Sequence, residues 1–268
     1  MVDPLERNAS DASSSAEPSG TPASLREAAR DAVGYVRGTP KKTFAALVLA
    51  PILIALTMRI ATVDAARPVL LRYFRPSSIT LLTQWYFLFG QQFFFMFVIP
   101  TLCIKFVYRE PLRDYGHQIR PVAKLWPLIL VFLAVMLPIT YLASRELSFR
   151  SYYPLYPGSF RGWVPFLEFE AGALLLFFSQ ESFFRGFVIE SLAPRMGYTA
   201  VLVSTALYGI AHYTKPLPEQ LGAFFVGNLL GYIGLRYRTC YFGVIVHYGV
   251  AFSMDAMLVV PRLLHGSG

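Results

Sequence analysis

The sequence predicts an all-α fold, a polytopic transmembrane helical bundle of about seven spans, and three observations carry that expectation. The apolar residues come in blocks near twenty long, the length an α-helix needs to cross about 30 Å of hydrocarbon. Of the 268 residues, 55% are hydrophobic and only 15% charged, which excludes a disordered chain and disfavours an ordinary soluble enzyme. The net charge of +8 is not gathered in a stripe but sits in the gaps between apolar blocks, where Lys and Arg orient a membrane protein. That placement speaks for membrane lipid as a partner and gives no support for nucleic acid. Cys103 and Cys240 lie in or beside apolar blocks without metal-ligand spacing, so neither a disulfide framework nor a zinc site is expected.

Residues 1–40 are rich in Ser, Ala, Pro and charged groups and are expected to form a flexible cytoplasmic tail ahead of one transmembrane domain, 41–268. The tail lacks the early apolar stretch of a secretory signal, so the first block is expected to remain in the mature protein. Arg37, Lys41 and Lys42 directly precede that block, which by the positive-inside rule puts the N-terminus in the cytoplasm. Spans are expected at 43–62, 79–104, 122–143, 163–184, 199–213, 218–235 and 241–260. The fifth is short enough to be tilted or re-entrant. The connections are mostly under twenty residues and hold turn formers such as Pro154, Pro157, Gly158, Pro216 and Pro218, which suits a compact bundle. With the N-terminus inside, the loops bearing Lys105, Arg109, Arg113, Arg236 and Arg238 also fall inside.

Polar side chains within an apolar span are costly and tend to face the bundle interior. Three places carry them: Gln180-Glu-Ser-Phe-Phe-Arg185 near the end of the fourth span, Tyr208-Gly-Ile-Ala-His212 ending the fifth, and His247 in the seventh. Glu181 and Arg185 are four apart and can pair, whereas Gln180 points about 100° away from Glu181. The bland readings are a salt bridge at a helix end and hydrogen-bonded packing histidines. Taken together, the set suits metal binding, proton relay, or activation of water for hydrolysis, and spacing alone does not choose among them.

At these residues the chain resembles the CAAX protease and bacteriocin-processing family of intramembrane proteases, which includes the Ras-converting CAAX endopeptidase and the bacterial Abi proteins. The family's ordered motifs, EExxxR, FxxxH and HxxxN or HxxxD, are matched by Gln180 to Arg185, by Tyr208 to His212 and by His247 to Ala251, within a similarity covering about 110–260. The resemblance implies peptide-bond hydrolysis near the terminus of a protein or peptide substrate, by a glutamate-type mechanism that needs no metal and no cofactor, in what is expected to be a bacterial inner membrane. It makes Glu181, His212, His247, Gln180 and Arg185 the candidate catalytic residues. His212 matches the water-binding His, His247 the oxyanion His, and Glu181 and Arg185 the second Glu and the Arg. Two positions depart from the pattern. Gln180 stands where the general base belongs, and a neutral amide cannot take a proton. Ala251 stands where the Asn or Asp belongs. Glu181 is the remaining carboxylate, but using it as base would require local rotation of the helix and loss of its partner Arg185. Asp255 lies about 12 Å beyond His247, too far to replace the group missing at Ala251. Glu168, Glu170 and Glu190 are expected to be interface or structural residues. Three readings therefore stand: an active endopeptidase, a proteolytically silent protein that binds a peptide or partner in the same cavity, and a small transporter or proton relay.

Overall fold

The computed structural model describes residues 24–78 and 80–266. The chain is all-α, as the apolar blocks predict, and no strand occurs among the described residues. In chain order the helices are α1 (Leu25–Gly38), α2 (Lys41–Ile60), α3 (Val63–Leu70), α4 (Leu81–Tyr108), α5 (Val122–Ala143), α6 (Leu147–Tyr152), α7 (Trp163–Met196), α8 (Thr199–Ala211), α9 (Leu217–Tyr237) and α10 (Tyr241–His265).

Part of the expected tail is helical. In α1, Ser24 caps the first turn by accepting from the Glu27 N–H at 3.2 Å, Glu27 lies near the N-terminal end and Arg37 near the C-terminal end, and both charges suit the helix dipole. None of its residues is buried. Residues 1–23 of that expected tail lie outside the described residues.

Five helices are long and apolar enough to span a bilayer: α2, α4, α5, α7 and α10. They cover five of the seven expected spans, and the chain is an integral membrane protein. The other two expected spans are helices of a different kind. At 13 residues α8 is short. The 21-residue α9 is long enough, but Glu219, Gln220, Asn228 and four glycines dilute its apolar character.

The spanning helices divide into an outer wall and a centre. In α5 only 17% of the apolar stretch is buried, and Leu130, Val131, Val135 and Leu142 point outward as lipid-facing side chains do, whereas in α7 72% is buried. A helix apolar all round belongs in the middle of a bundle, and α7 is that helix: α4 and α10 pack along its first half, and α2, α8 and α9 pack around its second. Phe183, Phe184, Phe187 and Val188 of α7 form a core with Ala46, Ala50 and Leu53 of α2, Met96 of α4 and Tyr208 of α8. A second cluster joins α5, α9 and α10 through Ile129, Phe132, Leu230, Ile233, Phe242 and Val246.

α8 and α9 pack closely against one another. Lipid offers no hydrophobic drive for one helix to find another, so membrane helices associate through close packing at small residues. Gly227 and Gly231, one turn apart on α9, supply it. A Cβ on Gly227 would come within 3.1 Å of Thr205 and Tyr208, and one on Gly231 within 2.7 Å of Val201. Gly231→Val is accordingly expected to push α9 off α8 and cost about 1–3 kcal/mol, read as a lowered midpoint of thermal unfolding in detergent, while Gly222→Ala, which meets open space, leaves the midpoint unchanged.

Candidate active site

The site lies where α7, α8 and α10 meet. At Ser182 the backbone of α7 changes from α-helical to a seven-residue π-helical segment, Ser182–Val188. Such segments leave carbonyls free of their usual partners and recur at functional sites. Here Ser204 of α8 donates its hydroxyl to the Phe184 carbonyl at 2.8 Å, which ties α8 to the irregular turn.

Glu181 precedes this segment and is wholly buried. Its carboxylate has two partners. Oε1 accepts from Nδ1 of His247 at 2.9 Å, and Oε2 lies 3.2 Å from Nε of Arg185, a charge contact without the alignment of a hydrogen bond. Arg185 is 2% exposed and its guanidinium stacks over the Tyr208 ring, 4.4 Å from the centroid. Gly243 of α10 passes so near that any Cβ there would overlap Oε2 of Glu181. An ionised carboxylate out of water costs several kcal/mol, and it is tolerated only where charges and hydrogen-bond donors close around it. Arg185 and His247 perform that role.

The tautomers follow from the partners. A carboxylate accepts only, so His247 donates from Nδ1 and its Nε2 carries the lone pair. That Nε2 lies 3.2 Å from the Tyr208 hydroxyl, which therefore donates to it. His212 caps the C-terminal end of α8 and donates from Nδ1 to the Tyr208 carbonyl at 2.9 Å, which leaves its own Nε2 as an acceptor. The two imidazoles are 6.4 Å apart between ring centroids and inclined by only 30°. Tyr208 joins all three groups: its ring carries Arg185, its hydroxyl meets His247 and its carbonyl fixes His212.

A cavity of about 730 Å³ opens beside these groups. Gln180, His212, His247, Tyr208 and Ala251 line it. Glu181 and Arg185 do not; they stand in the wall behind His247 and Tyr208. The sequence-predicted site residues are thus brought into one cluster but in two layers, and the 100° between Gln180 and Glu181 is what separates them. The π-helical segment begins one residue too late to turn Glu181 into the cavity. Ala251 presents only a methyl group one turn beyond His247. Among the described residues, no group of three or more His, Cys, Asp or Glu side chains could hold a metal ion.

Sequence reasoning missed two features. The Tyr208 hydroxyl had a visible signal, since a tyrosine stands where the FxxxH pattern has phenylalanine. The second is Glu170, expected to be an interface or structural residue. It is 4% exposed, lines the same cavity and interacts directly with Asp255 of α10, which is 5% exposed. The two are eighty-five positions apart in the sequence, and only the antiparallel packing of α7 on α10 joins them. Asp255 lies on α10 one turn beyond Ala251 and two turns beyond His247.

The buried charges give a direct test. Arg185→Met is expected to lower stability by about 3–5 kcal/mol, because it leaves Glu181 ionised without its cation. Adding Glu181→Gln, which still accepts from His247 Nδ1, restores most of that loss, whereas two unrelated lesions would add. Chemical unfolding of the single and double variants in detergent reads the difference.

A search of curated proteins and a search of solved structures found no match to the chain. A scan against protein-family models did. Residues 161–253, which run through α7, α8, α9 and into α10 and hold Gln180, Glu181, Arg185, Tyr208, His212, His247 and Ala251, match the family described as Type II CAAX prenyl endopeptidase Rce1-like, so the likeness to CAAX proteases spans every part of this site.

Proposed function

We propose that the protein is an intramembrane endopeptidase that hydrolyses a peptide bond of a protein or peptide substrate near its terminus, with His247 as the general base and Glu181 as the group that orients it. The observation that carries this reading is the 2.9 Å contact between Glu181 Oε1 and His247 Nδ1, made by a buried carboxylate on an imidazole that itself borders the cavity. A carboxylate in that position holds the ring in one tautomer and stabilises the imidazolium that forms when the ring takes a proton. Assigning the base to His247 differs from the role that the family resemblance alone gives it.

The steps then follow from the donors and acceptors present. As substrate binds, the Tyr208 hydroxyl turns from His247 Nε2 to the substrate carbonyl oxygen, and water held by the free Nε2 of His212 attacks the carbonyl carbon as the freed His247 Nε2 takes its proton. The negative charge that develops on the carbonyl oxygen meets the redirected Tyr208 hydroxyl and the Gln180 amide N–H, both on residues that line the cavity. As the tetrahedral intermediate collapses, the C–N bond breaks and the proton on His247 passes to the leaving amine. Arg185 stays beside Glu181 Oε2 throughout. Gln180, a failed base in the family pattern, becomes an amide donor here. The proposal includes a cytoplasmic N-terminus, which the basic residues Arg37, Lys41 and Lys42 ahead of the first span support by the positive-inside rule, in a bacterial inner membrane.

A second reading has its own support. Ala251 offers no polar group and Gln180 no base, so the same cavity serves a protein that binds a peptide without cleaving it. Both are tested by incubating purified protein with a candidate membrane peptide. Under the endopeptidase reading His247→Ala loses about 10²–10⁴ in rate, Glu181→Gln falls in the same range, and Gln180→Ala loses about 10²–10³. Chelator leaves the rate unchanged. Cleavage undiminished in His247→Ala overturns the mechanism. Binding without cleavage by the natural chain, with cleavage gained on the paired change Gln180→Glu and Ala251→Asn, replaces it with the binding reading.

A further inference from the structure

The cavity has a second polar end. From Gln180, α7 lines it with Phe177, Ala173 and Glu170, and from His247, α10 lines it with Ala251 and Asp255. These are residues three and four apart, so each helix presents one stripe. The stripes run in opposite directions, His247 beside Glu181 and Asp255 beside Glu170. At 1.5 Å per residue, the carboxyl pair lies about 12 Å from His247 along α10 and about 15 Å from Gln180 along α7.

Charge at that end is not balanced. The charged residues lining the cavity are Glu146, Glu170, Glu219, Asp255 and a single cation, Lys215. Four carboxylates and one ammonium give a formal −3 in a chain whose net charge is +8. Lys215 is already engaged: it donates to the Tyr153 hydroxyl at 2.6 Å and lies 3.6 Å from Glu219, whose carboxylate accepts from the same hydroxyl at 2.7 Å. Glu146 is exposed. That leaves Glu170 and Asp255, neither of which has an ion-pair partner among the described residues. Asp255 is 5% exposed, and its Oδ1 is buried with no donor to meet it. A buried carboxylate oxygen without a donor is a standing cost, and two carboxyl groups side by side resist being ionised together. A cation in the cavity beside the pair offsets the second of these, the repulsion between the two carboxyl groups.

We propose that Glu170 and Asp255 form a subsite for a cationic group of a bound peptide, the side chain of lysine or arginine or a free amino terminus. This deepens the reading of the cavity as a peptide site and rests on it. An extended chain advances about 3.3 Å per residue, so the cation sits about three to four residues from the bond placed at His247. The stretch between is lined by Ala173, Phe177, Val250 and Ala251, and takes apolar side chains.

The test uses the natural protein in detergent and a set of short, apolar, N-acetylated peptides. Each carries one lysine, moved position by position, and is compared with norleucine and glutamate at the same place. Binding is followed by fluorescence anisotropy and cleavage by mass spectrometry on the same samples. Lysine is expected to bind about tenfold or more tighter than norleucine at one offset, and glutamate more weakly than either. Asp255→Asn and Glu170→Gln should each reduce that ratio towards one while leaving the norleucine peptide's affinity unchanged. Removing the acetyl group from the norleucine peptide separates the two sources of the cation, since a gain there assigns the subsite to an amino terminus. Equal binding of lysine and norleucine at every offset, with no gain from a free amino terminus, overturns the proposal, and this comparison needs no variant to fold. A preference that survives the double change Asp255→Asn with Glu170→Gln also overturns it. Cleavage indifferent to lysine sinks the subsite and spares the endopeptidase; a lysine preference in binding with no cleavage does the reverse.

Discussion

The whole arrangement depends on one carboxylate with no access to solvent. Glu181 is fully buried in the most enclosed helix of a membrane protein, where an uncompensated charge would not be tolerated. Its compensation reaches into the neighbouring helices. Arg185 must lie alongside, so Gly234 of α9 leaves room for its aliphatic stem, a Cβ there coming within 3.3 Å of the Arg185 Cβ. The guanidinium must rest on Tyr208, which fixes the depth of α8. His247 must reach Oε1, and Gly243 lets α10 come close enough for it to do so. Three helices are positioned by the needs of one charge, and the two histidine tautomers follow from the same contacts.

That constraint also explains the two-layered site. A group that holds its charge by being enclosed cannot also line an open cavity. Glu181 can act on a substrate only through a neighbour, and His247 is the neighbour that both contacts it and borders the cavity. Gln180, one residue earlier on the helix, is turned to the cavity and can be neutral without penalty. Between the His247 end and the Asp255 end the lining is apolar, so the cavity suits a guest with two polar points and a greasy middle more than a small polar molecule.

How much of this the sequence discloses depends on the distance over which each feature is encoded. Apolar blocks are local, so the helices and their approximate ends are legible, and so is the angular separation of Gln180 from Glu181. The helix that carries the fourth span runs past the expected 163–184: α7 continues to Met196, with the polar cluster enclosed within the bundle instead of ending the helix. The helix in 25–38 is obscured by the low-complexity residues before it. The pairing of Glu170 with Asp255 is illegible for another reason, since no pattern within either helix specifies that α7 and α10 run antiparallel in a register that levels those two residues. The Tyr208 hydroxyl is legible as a letter, and its meaning comes only with the positions of His247 and Arg185 around it.

The departure at Gln180 has a consistent electrostatic account. A carboxylate at 180 would add a negative charge to a cavity whose charged lining is already four carboxylates and one lysine, within the same helical turn as Glu181. Like charges at that spacing oppose one another's ionisation. With an amide at 180, no second carboxylate lies within a turn of Glu181, whose contacts are Arg185 and His247. On the proposed mechanism, the loss of one carboxylate and the retention of the other are one change, which moves the basic atom from the helix surface to a histidine that the buried carboxylate holds in place.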